Sequence, residues 1–172
     1  NVCKLRCPFC IQGHYDPQLN SGKRLLRYDD YLVILRKIQP YALILDLFKH
    51  GEPLLNPDLA RMIAAATAAG VRCRVNSALN APLGPERARE ICEAGLYKLN
   101  CAIDGVTQDV YERYRVGGSL ELVLENARQF IAAKCERRRR HPVIIFRMLV
   151  FEWNHQQVEA ARALAERLGF DE

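Results

Sequence analysis

Three cysteines fall within eight residues near the start of the sequence, where Cys3, Cys7 and Cys10 form the pattern C-x3-C-x2-C. This spacing places three soft thiolates on one loop, and thiolates select zinc or iron–sulfur centres over hard cations. Two chemistries are open to such a loop. With His14 the run becomes C-x3-C-x2-C-x3-H, a donor set that could close a tetrahedral zinc site and stabilise a binding module with no catalysis. Alone, the three thiolates can hold three irons of a 4Fe-4S cube and leave the fourth iron open to a reacting ligand. The cluster reading is favoured, because zinc knuckles usually stand alone and would not explain a second polar loop, Gly51-Glu52-Pro53, at the end of an apolar run. The other cysteines, Cys73, Cys92, Cys101 and Cys135, lie far apart in apolar segments and read as inert core thiols. Seven thiols with one tight group do not make a disulfide framework, and they point to a reducing, cytoplasmic compartment.

A cluster loop needs a scaffold, and the chain supplies a regular one. Residues 41–48, 71–75, 97–103 and 142–151 are short apolar runs bounded by Gly, Pro, Asn or Asp, each reading as a strand buried on both faces. Between them Leu59, Met62, Ile63 and Ala66 share one helical face, as do Leu120, Val123, Leu124, Ala127, Phe130 and Ile131; Val158, Ala161, Leu164, Ala165 and Leu168 repeat the spacing. Asn56-Pro57 and Gly84-Pro85 open helices, Gly70, Gly95 and Gly169 close them, and Asn154 with Gln157 resembles a capping box. Alternating strands and helices imply parallel strands joined by right-handed crossovers. A helix over residues 28–39 precedes the first visible strand, so a first strand is expected before Asn1, and residues 169–172 look like the turn into another. The expected architecture is α/β, a partial six-stranded parallel barrel of the TIM-like type with its first strand and last unit cut off. Residues 1–172 would then be one domain, incomplete at both ends.

Composition narrows the function. Hydrophobic residues make up 49% and charged residues 26%, which suits a packed domain and excludes disordered or fibrous chains. The longest apolar stretch, residues 143–151, is interrupted by Arg147 and falls far short of the roughly 20 residues a membrane span needs. The net charge of +5 is spread out apart from the run Arg137 to Arg140, so neither a membrane nor a specific nucleic-acid partner is indicated.

The three-cysteine spacing, with aromatic Phe9 before the last cysteine, resembles the radical S-adenosylmethionine (radical SAM) superfamily. The likeness continues through Gly51-Glu52-Pro53-Leu54-Leu55-Asn56-Pro57, Ile103-Asp104-Gly105, the stretch from Tyr111 to Gly118, and residues 150–158, in the manner of members with a SPASM or twitch extension. Two positions depart from the common pattern: His50 stands for a first glycine and Ala102 for a serine. The resemblance implies a 4Fe-4S cluster on Cys3, Cys7 and Cys10, whose open iron chelates S-adenosylmethionine. Reductive cleavage would give a 5'-deoxyadenosyl radical that takes hydrogen from an unknown substrate, a peptide being favoured over a small metabolite. A reductase, flavodoxin or ferredoxin would supply the electron. For such a cosubstrate, Glu52 and the carbonyls of Gly51 to Pro53 can accept from the ammonium. Arg115 can fork onto the carboxylate, or else pair with Glu112 or Asp109. Asn76, Ser77, Asn100 and Asp104 can reach the ribose hydroxyls, although Asp104 with Gly105 can equally cap the next helix. Arg147 must snorkel, pair, or face the barrel lumen and meet the substrate.

Overall fold

The computed structural model describes residues 2–13, 24–136 and 140–172. Helix α1 (Tyr28–Ile38) leads into strand β1 (Ile44–Asp46), then α2 (Leu59–Ala68), β2 (Arg72–Ser77), α3 (Pro85–Glu93), β3 (Lys98–Ala102), α4 (Gln108–Tyr114), α5 (Leu120–Glu136), β4 (Val143–Arg147) and α6 (Val158–Leu168). The four strands are parallel and lie in sequence order β1-β2-β3-β4, which is an arc of a parallel barrel. Backbone bonds carry the arc further: the Asp171 amide donates to the Ile144 carbonyl at 2.9 Å and Phe146 to the Glu172 carbonyl at 2.8 Å. The turn at Gly169, left-handed at φ 87°, thus delivers the last residues alongside β4. Among the described residues no helix is long and apolar enough to cross a membrane.

Only one face of the sheet is buried, which corrects the expectation of burial on both. Cys73, Val75, Leu99, Cys101 and Ile144 face the helices and pack with Ile63, Ala66, Ile91, Val123, Ala127 and Phe130. Each large apolar side chain removed from water in this way stabilises the fold by about 1.5–3 kcal/mol. The opposite face carries Arg72, Arg74, Asn76, Lys98 and Asn100, alternating with the core residues as a period of two requires. That face is the barrel interior, a polar wall with no second layer packed against it among the described residues. Register places Asn76 beside Asn100, and Ala102 beside Arg147 one layer nearer the C-terminal end.

Three further expectations change. Strand β1 is shorter than residues 41–48, and Tyr41 and Leu43 are exposed. Cys73, Cys92 and Cys101 are buried, the Cys73 thiol being pushed up to about 12 by burial, but Cys135 is exposed on α5. Asn154 and Gln157 do not form a capping box. Fully buried Asn154 accepts from the Phe151 amide and donates to the carbonyls of Asp104 and Leu149, while Gln157 accepts from the Val106 amide and donates to Thr107. A buried amide must fill all of its hydrogen-bonding groups, and the loop ends of β3 and β4 offer them more than a helix terminus does.

Candidate functional site

The cysteine loop is shaped by its own backbone. Cys10 donates to the Cys7 carbonyl at 3.1 Å and Gly13 to the Cys10 carbonyl at 2.8 Å, winding two tight turns around Cys7. Only glycine fits at the end of this winding, because a Cβ on Gly13 would lie 2.2 Å from the Cys7 carbonyl oxygen. Two more bonds anchor the loop: Arg6 donates to the Val116 carbonyl beyond α4, and Glu52 donates to the Val2 carbonyl at 2.7 Å. Leu5 and Cys7 are buried with Ala78 and Tyr114, and Cys3 and Cys10 pack at their edge. Phe9 is 73% exposed, with its ring 6.1 Å from those of both Tyr114 and Phe151.

All three cysteines line one cavity of about 230 Å³ at the C-terminal ends of the strands. Lys49 and Gly51 reach it from beyond β1, Asn76 and Ser77 from β2, Asp104 from β3, Arg115 from the end of α4, and Arg147 from β4. Glu52, Pro53 and Asn100 do not line it. Pro53 opens a 3-10 turn (Pro53–Leu55), and Asn100 sits beside Asn76 on the interior face.

Glu52 is directed into the protein. Its carboxylate accepts from the Leu54 amide at 3.0 Å, the Ser77 hydroxyl at 2.6 Å and the Ala78 amide at 2.9 Å, so it clasps its own loop to the end of β2. Burial raises its carboxyl above the ordinary value, although the three donors pull the other way.

Asp104 and Arg115 form the charged centre. The Arg115 Nε donates to Asp104 at 2.5 Å and its Nη1 lies 3.8 Å from the Cys7 sulfur, while the second Asp104 oxygen accepts from the Leu149 amide at 2.7 Å. Arg115 therefore pairs with neither Glu112 nor Asp109, and Asp104 does not cap α4, whose N-cap is Thr107. Burial draws the guanidinium down, but Asp104 and Cys7 outweigh it and raise its pKa. Burial also pushes the Cys3 and Cys7 thiols up, with Arg115 opposing the shift at both.

The residues fit a cluster with a polar cosubstrate. Asn76 presents a buried side-chain oxygen that has no hydrogen-bond partner, at the wall of the cavity. A ligand hydroxyl or ammonium would complete it. Cys3, Cys7 and Cys10 line the same cavity and would supply the three thiolates that a 4Fe-4S cube with one open iron requires. His14, the fourth donor of the zinc reading, lies outside the described residues.

The sequence pattern does not single out Gly13 or Lys49, and it gives Asn154 a helix-capping role in place of the loop-tying one. A signal existed for Gly13, which falls three residues after Cys10 where a short loop must turn back. None existed for Lys49, and the role of Asn154, like that of Lys49, depends on which loops meet at the barrel mouth.

Comparison with known proteins adds the following. Residues 1–165 match the family model described as Radical SAM superfamily. The GTP 3',8-cyclase of Geobacter sulfurreducens is 27% identical over 123 residues, covering 72% of this chain and 37% of that protein. A probable GTP 3',8-cyclase of Aeropyrum pernix is 28% identical over 178 residues, covering 98% of this chain and 46% of that protein. The chain thus spans less than half the length of these relatives. Among solved structures, Streptococcus suis SuiB bound to S-adenosylmethionine aligns with a TM-score of 0.75 at 10% identity over 98% of this chain and 36% of its own. TYW1 with a lysine-pyruvate adduct aligns at 0.63 and 19% identity over 97% of this chain and 58% of its own. At these identities the structural likeness is one of fold.

Proposed function

Since the chain belongs to the radical SAM superfamily, we propose that residues 1–172 form most of the core domain of a radical SAM enzyme. The observation that carries this reading is the meeting of Cys3, Cys7 and Cys10 with Asn76 and Arg115 in one cavity at the strand ends. When bound there, a 4Fe-4S cluster supplies the electron that splits S-adenosylmethionine to methionine and a 5'-deoxyadenosyl radical able to take hydrogen from the substrate. Cys3, Cys7 and Cys10 would each hold one iron. Of the Gly51-Glu52-Pro53 loop, Gly51 lines the cavity and its carbonyl accepts from the cosubstrate's ammonium, while Glu52 fixes that loop from behind through Ser77 and Ala78. Arg115, oriented by Asp104, offers its remaining N–H groups to the carboxylate beside Cys7. The unpartnered Asn76 oxygen accepts from a ribose hydroxyl, with Ser77 and Asp104 as the polar surround. Buried Leu5 and Tyr114 form the apolar part of the wall and exclude water there.

The seven free thiols support a cytoplasmic setting in which a reductase, flavodoxin or ferredoxin donates the electron. A peptide substrate is supported by the fold likeness to SuiB bound to its precursor peptide SuiA. The sequence likeness to GTP 3',8-cyclases favours a second reading, a small metabolite. A SPASM or twitch extension would lie outside the present chain.

The test uses full-length protein, reconstituted anaerobically with iron and sulfide and then reduced. It should be brown and should release 5'-deoxyadenosine from S-adenosylmethionine, and Cys7→Ala should abolish both. Colourless protein holding zinc, or undiminished release from Cys7→Ala, would overturn the reading.

A further inference from the structure

Among the described residues, two cations at the cavity wall have no ion-pair partner. Arg147 ends β4 and lies on the strand's interior face, since Ile144 on the other face is buried in the core and the Arg147 carbonyl is held in the ladder by the Ile103 amide at 2.8 Å. Lys49 follows β1. Both line the cavity that holds the cysteines, and both are exposed. β1 and β4 are the outer strands of the arc, with β2 and β3 between them.

Among the described residues, the carboxylates of Asp104, Asp46 and Glu52 are already engaged. Asp104 is shared by Arg115 and the Leu149 amide. Asp46 takes both ends of Arg74 at 2.6 and 2.8 Å. Glu52 is buried beneath the wall and saturated by three donors. Beside the three cysteines and the Arg115–Asp104 pair, Lys49 and Arg147 are the charged side chains of the cavity wall left without an ion-pair partner among the described residues.

We propose that Arg147, supported by Lys49, holds an anionic group of the substrate, a carboxylate or a phosphate, so that the substrate class is an acid. This rests on the reading above that the cavity is where hydrogen is abstracted. The planar guanidinium presents paired N–H groups that match either oxyanion, and Lys49 adds a point charge from the β1 side. The cosubstrate's own carboxylate is served from a different element, because Arg115 lies beside Cys7 at the end of α4. An arginine in an otherwise apolar strand end is thereby explained: it is directed to the lumen and reserved for a ligand.

The experiment uses reconstituted full-length protein with S-adenosylmethionine present and two probe anions, inorganic pyrophosphate and succinate, titrated calorimetrically. Wild type should bind at least one of them, and Arg147→Ala should weaken that binding by about 10-fold or more, the loss of a charge-assisted contact. Arg147→Lys, keeping charge without the fork, should fall between. Iron content and affinity for S-adenosylmethionine should stay within about twofold in each variant, as expected of a group that serves neither. Preference for pyrophosphate assigns a phosphate and preference for succinate a carboxylate. Equal anion binding by wild type and Arg147→Ala would overturn the proposal. So would a parallel loss of S-adenosylmethionine affinity, which would give Arg147 to the cosubstrate and leave the radical reading standing. Protein with neither iron nor S-adenosylmethionine affinity would defeat the radical reading instead, and with it this assignment to a substrate.

Discussion

Asp104 is fully buried, and its charge is tolerable there because Arg115 and the Leu149 amide both donate to it. Removing the cation leaves an uncompensated carboxylate, so Arg115→Ala should lower stability by about 3–5 kcal/mol, read from urea unfolding. The same change removes the N–H group nearest the Cys7 sulfur, and the reconstituted variant should show a shifted cluster reduction potential, because hydrogen bonds to cluster sulfurs set it. Glu52 gives a different test. Its folded pKa is raised by burial, so the fold favours the protonated form. The stability this contributes is full below the ordinary carboxylate range, near 4.5, and is lost as pH rises through the raised value. Glu52→Gln does not titrate, and it sets an amide against one of the two backbone donors. It should be less stable by about 1–3 kcal/mol at low pH, with the gap narrowing as pH rises. A constant gap in unfolding free energy from pH 4 to pH 8 would contradict this. The cysteines and the Gly51-Glu52-Pro53 loop were legible because their spacing is local. The orientation of Glu52 was not, because its partner Ser77 lies 25 residues away. Arg115 was misleading for the same reason: Glu112 and Asp109 are nearer along the chain, but Asp104 is the carboxylate that burial would otherwise penalise.

The elements matter here by where their ends fall. Each strand ends at the same rim, and the loops leaving that rim are tied to one another: Val2 to Glu52, Arg6 to Val116, and the β3 and β4 ends through Asn154. Gly13 closes the cysteine loop by a backbone approach that no Cβ can share. Gly13→Ala should therefore lose most of its iron on reconstitution while the helices and sheet melt nearly unchanged by circular dichroism, since the clash is confined to residues 6–13. Equal iron content in the variant would show that the loop relaxes without cost. Asn154→Ala should act on the scaffold instead, leaving the Phe151 amide and two carbonyls without their partner at roughly 1–3 kcal/mol for each group that water cannot reach. The helices were legible from their period and punctuation, Pro85 at the first turn of α3 and Gly169 at the end of α6 being followed in the structure. The strand faces were legible in principle, because Arg72-Cys73-Arg74-Val75-Asn76 alternates strictly. What overrode that alternation was the expectation that parallel strands are buried on both sides, which a polar barrel interior does not satisfy.

At the scale of the whole molecule, the two margins of the arc differ. The β4 margin is lined by the backbone of Asp171 and Glu172, and Lys134 clamps Asp171 at 2.5 and 2.6 Å. At the β1 margin, Tyr41 is 88% exposed and Leu43 83%, with Ile44 beside them and Val33 and Ile34 on α1 also exposed. A strand margin that joins unpaired backbone to exposed apolar side chains is a template for pairing with another chain. The 172-residue chain on its own should therefore associate with itself in a concentration-dependent way, through β1 and α1. Charge placed on that margin should suppress the association without touching the core, since Leu43 already faces solvent and its backbone bond to Arg72 does not involve the side chain. Leu43→Lys is the variant of choice, because lysine on an edge opposes strand addition through both its charge and the cost of desolvating it. Sedimentation velocity over a range of concentrations should show wild type shifting to larger species and Leu43→Lys remaining monomeric, with thermal midpoints that agree closely. Association that persisted in Leu43→Lys would place the sticky surface elsewhere, and the exposed aromatic group around Phe9 and Phe151 would then be the next face to alter.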